Sequence, residues 1–430
     1  MKQNPGDRSM SRPLNRREFV VNCALAGLAA ATLSPRRAAG AEALRHDRCP
    51  EELIYRTMTG KLEIIGTNGQ GRRQLEPNRP EMESWGVGPV FSDGRRVILI
   101  GFGQGVVWKG QPTTYPFIYD RVSGQFTELG LPNRPAPYVT ISFLFPGEER
   151  MMIGSQVNGE MLLFSCRLDG TELRPVTQPG QGFTYCEVLS PDRKRIAFHA
   201  VGMAAGAENR YSIFTANPDG TARTLVDRDE AAYCFGPSWS PDSQWVAYLK
   251  CAFKTDLGHD AADLWVARTD GTEKRALTAG HPHLFATGFG RPPHFGNGSN
   301  VARWSPVANV ITHSRVSPGA VPPWVWRREH ADTDHFNRAD QPELARGGAQ
   351  LCLIDPFSGE TRELTPATER RWDFRATWSP AGDKLAFIRA DVGAPGQLWV
   401  MNSDGSDAHF LTTGQEEIGV DHPLFLPRVP

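Results

Sequence analysis

Two short phrases recur along the chain, and their spacing leaves few folds open. The first reads SWSPDSQWVAYLK, RWSPVANVITHSR and TWSPAGDKLAFIRA; the second reads SIFTANPDGTARTLV, DLWVARTDGTEKRAL and QLWVMNSDGSDAHFL. Each is a strand, a tight turn and another strand. Asp-Gly and Asn-Gly between alternating apolar residues accept the positive φ that hairpin turns require. Turns of the second phrase fall at Asn68-Gly69, Ser123-Gly124, Asp169-Gly170, Asp219-Gly220, Asp270-Gly271, Ser358-Gly359 and Asp404-Gly405. Those of the first are anchored at Asp93, Pro146, Pro191, Pro241, Pro306, Pro380 and Pro427. Most intervals are about 45 to 55 residues, the length of a four-stranded blade. The pattern predicts an all-β chain, a seven-bladed β-propeller with four-stranded blades. With 43 glycines and 34 prolines the chain is turn-rich, and long 3.6-residue periodicity is missing beyond the leader.

The phase of the two phrases predicts how the ring closes. Asn68-Gly69 precedes any first-phrase anchor, while Pro427 follows the last hairpin turn. One blade is therefore split, with its inner strand in DHPLFLPRV at the C-terminus and its outer three within about 52–76. Such closure leaves no open sheet edge.

Residues 1–41 read as a targeting leader. A polar region ends in Arg16-Arg17, an apolar stretch of about 14 residues follows, and a small-residue run, Ala38-Ala39-Gly40-Ala41, closes it. The segment NRREFVV resembles a twin-arginine export signal at Arg16, Arg17 and Phe19, with Asn15 in place of the usual Ser or Thr. Cys23 lacks the small-residue context of a lipid-attachment site. The expectation is a periplasmic protein beginning near Glu42, with 42–430 as one propeller and no transmembrane segment in the mature chain. A formal net charge of −1 with mixed signs favours neither nucleic acid nor an anionic membrane. The cysteines at 49, 166, 186, 234, 251 and 352 have no spacing that demands a disulfide, and read as buried apolar residues.

One blade breaks the rhythm. The connection at about 279–301 exceeds the usual length by about fifteen residues, and the loop at about 317–348 by about twenty-five. In an up-down blade both emerge on one face, side by side. His281, His283, His294, His330 and His335 lie in these insertions, with His313 and His422 expected on the same face. If GHPHLF is extended, His281 and His283 point the same way, as a metal pair needs. The candidate ligands are His281, His283, His313, His335 and His422, for one divalent ion such as Mn, Zn or Fe, with Asp332, Asp334 and Asp421 as nearby carboxylates. The competing reading is that loop histidines cap strands or stack on aromatics. EHADTDHFNRAD lacks the glycine and terminal Glu of an EF-hand loop. Trp239, Trp304 and Trp378 sit two residues before anchors and belong to the inter-blade core. Trp324, Trp326 and Trp372 are candidates for an exposed stacking surface. Arg327, Arg328, Arg371 and Arg375 have the chemistry to grip a carboxylate bidentately. No GxSxG elbow, HExxH or P-loop occurs, and GFGQG at 101–105 reads as a strand-end turn.

The two phrases resemble the TolB-like propeller repeat, a WD-repeat-like family of exported proteins, across nearly the whole mature chain. The resemblance implies the fold and says little of function. TolB itself carries an α/β domain before its propeller, and prolyl oligopeptidase relatives add a hydrolase domain; residues 52–430 read as propeller alone. GHPHLF and DHPLFLP also resemble the His-Pro-His approach to an inner strand in oligogalacturonate lyases, which are propellers that hold manganese with histidines. The doublet here precedes a different blade, and the C-terminal copy has one histidine. That resemblance implies β-elimination on a uronate whose carboxylate is metal-bound, with Arg328, Arg371 or a histidine removing the C5 proton. Two functions stay open. One is a propeller binding a saccharide, peptide or envelope protein on its loop-decorated face, through Trp324, Trp326, Arg327, Trp372 and Arg375. The other is a metal-dependent uronide lyase.

Overall fold

The computed structural model describes residues 51–57, 59–75, 79, 81–103, 113–201, 211–252, 261–291, 294–326, 338–412 and 420–429. The leader at 1–41, Cys49, Arg327, Arg328, His330, Asp332, Asp334 and His335 lie outside them. Strands dominate, and the sole helix among the described residues is the single 3-10 turn Pro342–Leu344. The chain is a β-propeller. Four antiparallel sheets of four strands stand separately, and a thirteen-stranded sheet holds most of the remaining strands.

The closing sheet has the split composition the phase predicts. The C-terminal strand Val420–Leu426 pairs antiparallel with Glu52–Thr57, which pairs with Leu62–Gly66 and then Arg73–Leu75. Arg121, from the next sheet, locks this joint. Its guanidinium donates to the carbonyls of Gly94 and Pro427 and to Glu52, whose carboxylate Arg73 also holds at 2.7 Å.

Both phrases do the structural work their residue types allow. All seven turn glycines of the second phrase have positive φ, between 72° and 90°. At Asp169, Asp219, Asp270 and Asp404 the side chain accepts the N–H two residues on, the local bond that makes Asp a turn former. Gly220 is constrained from outside as well, since a Cβ there would collide with the Val176 carbonyl of the preceding sheet. In the first phrase the serine before the proline ties its hairpin. Ser190, Ser240 and Ser379 accept the N–H of Arg195, Trp245 and Lys384 at 2.9–3.0 Å. Trp239 and Trp378 donate their indole N–H to the Val188 and Arg303 carbonyls of the preceding inner strand, so these tryptophans join neighbouring blades. Cys166, Cys186, Cys234, Cys251 and Cys352 form no disulfide among the described residues.

Inner strands are bulged, and this feature builds the site. In Phe183–Leu189, Ala232–Trp239, Arg371–Trp378 and at Val420–Leu426, register slips where two residues oppose one. Four bulges hold a left-handed residue: Cys186 (φ 53°), Gly236 (60°), Arg375 (54°) and His422 (51°). Each stands five positions before its anchor, at Pro191, Pro241, Pro380 and Pro427. A bulge turns an extra side chain out of the pleat, and left-handed non-glycine residues cluster at functional sites.

The two insertions are ordered at their bases as hairpins. Ala286–Arg291 pairs with His294–Ser299, and Trp324–Trp326 pairs with Arg338–Asp340. His283–Leu284, at the foot of the first, pairs with Ala261–Ala262 on one side and Arg315 on the other. Val316 and Ser317, leading into the second, bond to Pro282 and Gly348. The insertions therefore spring from adjoining backbone.

Candidate functional site

A buried asparagine organises the centre of this region. Asn300 closes the first insertion, and its amide Nδ2 donates to the Leu284 carbonyl at 2.7 Å, pinning the stem. Its Oδ1 accepts the Arg375 backbone N–H at 2.7 Å, which holds the bulge of the neighbouring inner strand. Its own carbonyl accepts His283 Nε2–H at 2.8 Å. One side chain thus ties the insertion to a left-handed arginine.

Arg375 projects from that bulge against His422, the left-handed residue of the next inner strand, with Nη1 to Nδ1 at 3.2 Å. A guanidinium only donates, so Nδ1 accepts and the proton of the neutral ring sits on Nε2. Arg375 is buried, and Arg56, Arg303 and His422 are half-buried beside it. Burial lowers the Arg56 guanidinium to about 10. Burial, reinforced by the charge of Arg56, lowers Arg375 to about 9. Arg303 is lowered by burial too. His422 falls well below the usual imidazole range through burial and then the charges of Arg375, Arg56 and Arg303. Three guanidinium groups thus influence one buried, neutral imidazole.

Two further buried groups lie at other inner-strand bulges. Glu187, in the bulge beside Cys186, is buried and accepts the Ser142 hydroxyl; burial raises its carboxyl above the usual range. His199 is buried edge-on to Tyr211 and Phe235, accepts the Gly236 N–H at 3.3 Å, and is lowered by burial to about 3.

Among the described residues the expected metal ligands His281, His283, His313 and His422 do not gather at one point, and His335 lies outside them. Gly280 and His281 both have positive φ, so GHPHLF is not extended and the doublet diverges. His281 turns to Asp263, with Nδ1 2.9 Å from Oδ2. His283 points inward and stacks on His313, with ring centroids 6.0 Å apart. Burial lowers these two rings to about 4 and about 3, so both are neutral. His422 faces a guanidinium, which repels a cation. Among the described residues no three His, Cys, Asp or Glu gather to hold a metal.

Other expectations are corrected by the pleat. Trp372, expected on an exposed stacking surface, is wholly buried in the cluster that contains Leu284, Ala349 and Ala390. Arg371, one residue earlier and on the opposite face, pairs with Asp391 at 3.1 Å near the surface instead of joining the site. Trp324 and Trp326 lie in the second hairpin, while Arg327, Arg328 and His335 fall outside the described residues. Of the arginines singled out, Arg375 alone among the described ones enters the cluster. Arg56, Arg303, Asn300 and Glu187 were not anticipated. The signal for the bulges was present in the five-residue offset from the anchors.

Fold and site together define a β-propeller in which two inner-strand bulges bring Arg375 and His422 into contact beside the base of the first insertion. No family model matches the chain. A curated relative, the uncharacterized peptidase YuxL of Bacillus subtilis (strain 168), is 29% identical over 180 residues. The match spans 38% of this chain and 24% of that protein. Among solved structures, a puromycin hydrolase (S511A mutant, complexed with PGG) aligns over 90% of this chain and 55% of its own, at 15% identity and TM-score 0.54. An oligogalacturonate lyase in complex with manganese aligns over 84% of each chain, at 15% identity and TM-score 0.50. TolB of Acinetobacter baumannii is also a structural neighbour, over 87% of this chain and 81% of its own, at 14% identity and TM-score 0.42. At such identities the likeness is one of fold.

Proposed function

We propose that this chain is an exported, periplasmic seven-bladed propeller that binds a ligand where its two insertions meet. The ligand would be a saccharide, a peptide or an envelope protein. One observation carries the reading: Arg375 and His422, in contact at 3.2 Å, are both held left-handed in inner-strand bulges. Backbone strain of this kind costs about 1–3 kcal/mol per residue and persists where the surroundings impose it. The count of seven is supported by the thirteen-stranded sheet. Within it, Ala232–Trp239 through Arg275–Ala276, Arg303–Trp304 through Thr361–Glu363, and Arg371–Trp378 through His409–Phe410 repeat the hairpin order of the separate sheets. They are joined by short pairings, such as the single pair Ala349 with Trp372. Export is supported by the leader sequence, and among the described residues no helix is long and apolar enough to cross a membrane.

Binding is tested by screening the mature chain against glycan and peptide panels beside His422→Ala. A ligand retained by the parent and lost by the folded variant supports the reading; a ligand held equally by both removes it. Fractionation of cells carrying Arg16→Lys/Arg17→Lys tests export, with accumulation of uncleaved chain in the cytoplasm expected.

A second reading, the metal-dependent uronide lyase, is favoured by the His283–His313 pair. His283 Nδ1 and both His313 ring nitrogens are buried without a hydrogen-bond partner among the described residues. Metal content of the purified mature chain, beside His283→Ala/His313→Ala, tests it. About one equivalent of metal lost on mutation, with unsaturated products from uronides, would move the assignment to the enzyme.

A further inference from the structure

We propose that Arg275, Trp304 and Phe357 form a binding site for a small aromatic carboxylate, at the seam where Arg303–Trp304 and its partner strands pack on the sheet that ends in Arg275–Ala276. The site is separate from the one proposed above and lies on the other face. The insertions leave where Arg275–Ala276 leads to Arg303–Trp304 and where Ile311–Val316 leads to Ala349–Ile354. Trp304, Phe357 and Arg275 instead flank hairpin turns at the opposite strand ends.

Cations and rings alternate at this seam. Arg268 and Arg275 each lie over the Trp245 ring, with Cζ 4.6 and 5.0 Å from its centroid. Phe357 crosses from the neighbouring strands, edge-on to Trp245 at 5.5 Å, 5.3 Å from Arg275 Cζ and 6.5 Å from the Trp304 ring. Arg268 is paired with Glu273 at 3.0 Å. Arg275 differs: its Nε and Nη2 are buried with no hydrogen-bond partner among the described residues. Those two nitrogens form the edge of a guanidinium that a carboxylate takes side-on.

Trp304 supplies a second, independent sign. The side chain is 5% exposed, and its Nε1 has no hydrogen-bond partner among the described residues. At the same place in their repeats, Trp239 and Trp378 donate to the carbonyls of Val188 and Arg303, each three residues before its anchor. The equivalent residue for Trp304 is Ser238, which instead accepts the Trp304 backbone N–H on its hydroxyl at 2.9 Å. The strand Arg303–Trp304 has two residues against eight in Ala232–Trp239 and Arg371–Trp378, so the usual alignment of the repeat is lost. Phe357 is the movable part. Its ring is 46% exposed, on a turn fixed by Asp355, which accepts the N–H of Phe357 and Ser358. Rotation of an exposed side chain is fast and leaves such a turn intact, so the ring can uncover Arg275. A carboxylate then takes the Arg275 edge and the indole N–H, and an aromatic ring attached to it packs on Phe357.

The test is calorimetric titration of the mature chain with benzoate and, separately, with its neutral isostere benzamide, at matched ionic strength in sodium chloride. Benzoate is expected to bind at least about tenfold more tightly than benzamide, the scale of a charge-assisted bidentate contact. Arg275→Lys keeps the positive charge and loses the planar edge, so it should weaken benzoate at least about tenfold while leaving benzamide unchanged. Circular dichroism establishes that the variant is folded. Should Arg275→Lys fail to fold, Trp304→Phe keeps a ring, removes the indole N–H and should weaken benzoate about threefold or more. A purely structural stack predicts no benzoate binding by the parent, and that result overturns the proposal. Equal affinity for benzoate and benzamide overturns it too, as does a folded Arg275→Lys chain that holds benzoate as the parent does.

Discussion

Replacing Arg121 by methionine should loosen the joint that closes the propeller. The Arg121 side chain is only 4% exposed, and its guanidinium reaches three acceptors on two sheets: Glu52 at 2.6 Å, Pro427 at 2.7 Å, and Gly94. Hydrogen bonds to a charged group contribute about 1.5–3 kcal/mol each, and breaking a buried ion pair costs about 3–5 kcal/mol. Glu52 keeps Arg73, and methionine refills part of the volume, so the lower part of that range applies, about 3–4 kcal/mol. With an unfolding entropy of about 2.1 cal/mol/K per residue over about 380 residues, the melting temperature should fall by about 4–5 °C.

Acid should narrow the gap. Burial alone would raise the Glu52 carboxyl, but its hydrogen bonds and charge contacts with Arg73 and Arg121 bring it below its ordinary value of 4.5. A carboxyl depressed in the folded state stabilises above its unfolded value, and that contribution disappears as pH falls through the folded value. Urea unfolding of parent, Arg121→Met, Glu52→Gln and the double variant, at neutral pH and near pH 3, separates the pair from its context. Limited proteolysis reports release of the C-terminal strand. An Arg121→Met chain with the parent's urea midpoint and the parent's proteolysis rate would refute the latch.

Three further outcomes follow from other residues. Gly220→Ala should destabilise by at least about 2 kcal/mol through positive φ and collision with Val176, whereas Gly69→Ala, with nothing within 4 Å of its Cβ, should cost only about 1 kcal/mol; urea midpoints compare them. Trp372→Ala should cost about 3–5 kcal/mol in the same assay, as expected for a buried aromatic residue; a stable variant that only weakens ligand binding would restore Trp372 to the surface. His199, lowered to about 3, is neutral when folded, so the unfolded chain takes up its proton first. Its contribution is complete above about 6.5 and falls by up to about 1.4 kcal/mol per pH unit below that, so His199→Phe should flatten the loss between pH 6.5 and 4.5; an unchanged slope would contradict the assignment.

Much of the fold was legible because hairpin turns are local. An Asp-Gly pair commits its own backbone whatever surrounds it, so seven turns and the closing pairing of Val420–Leu426 with Glu52–Thr57 could be placed from residue types and phase. Much of the site could not. Strict alternation places Trp372 and Arg371 on opposite faces without saying which face is core. A two-residue spacing aligns His281 and His283 only if the chain between them is extended, and the left-handed His281 breaks that condition.

The sequence by itself determined an all-β repeat, where each turn falls, which strand closes the ring and which blade carries the insertions. These depend on φ preferences and hydrophobic period, properties of neighbours along the chain. Tertiary structure alone decided that Arg375 and His422 meet. Each comes from a different strand, and their meeting depends on bulges whose register is set by pairing with strands distant in sequence and by the Asn300 contacts across blades.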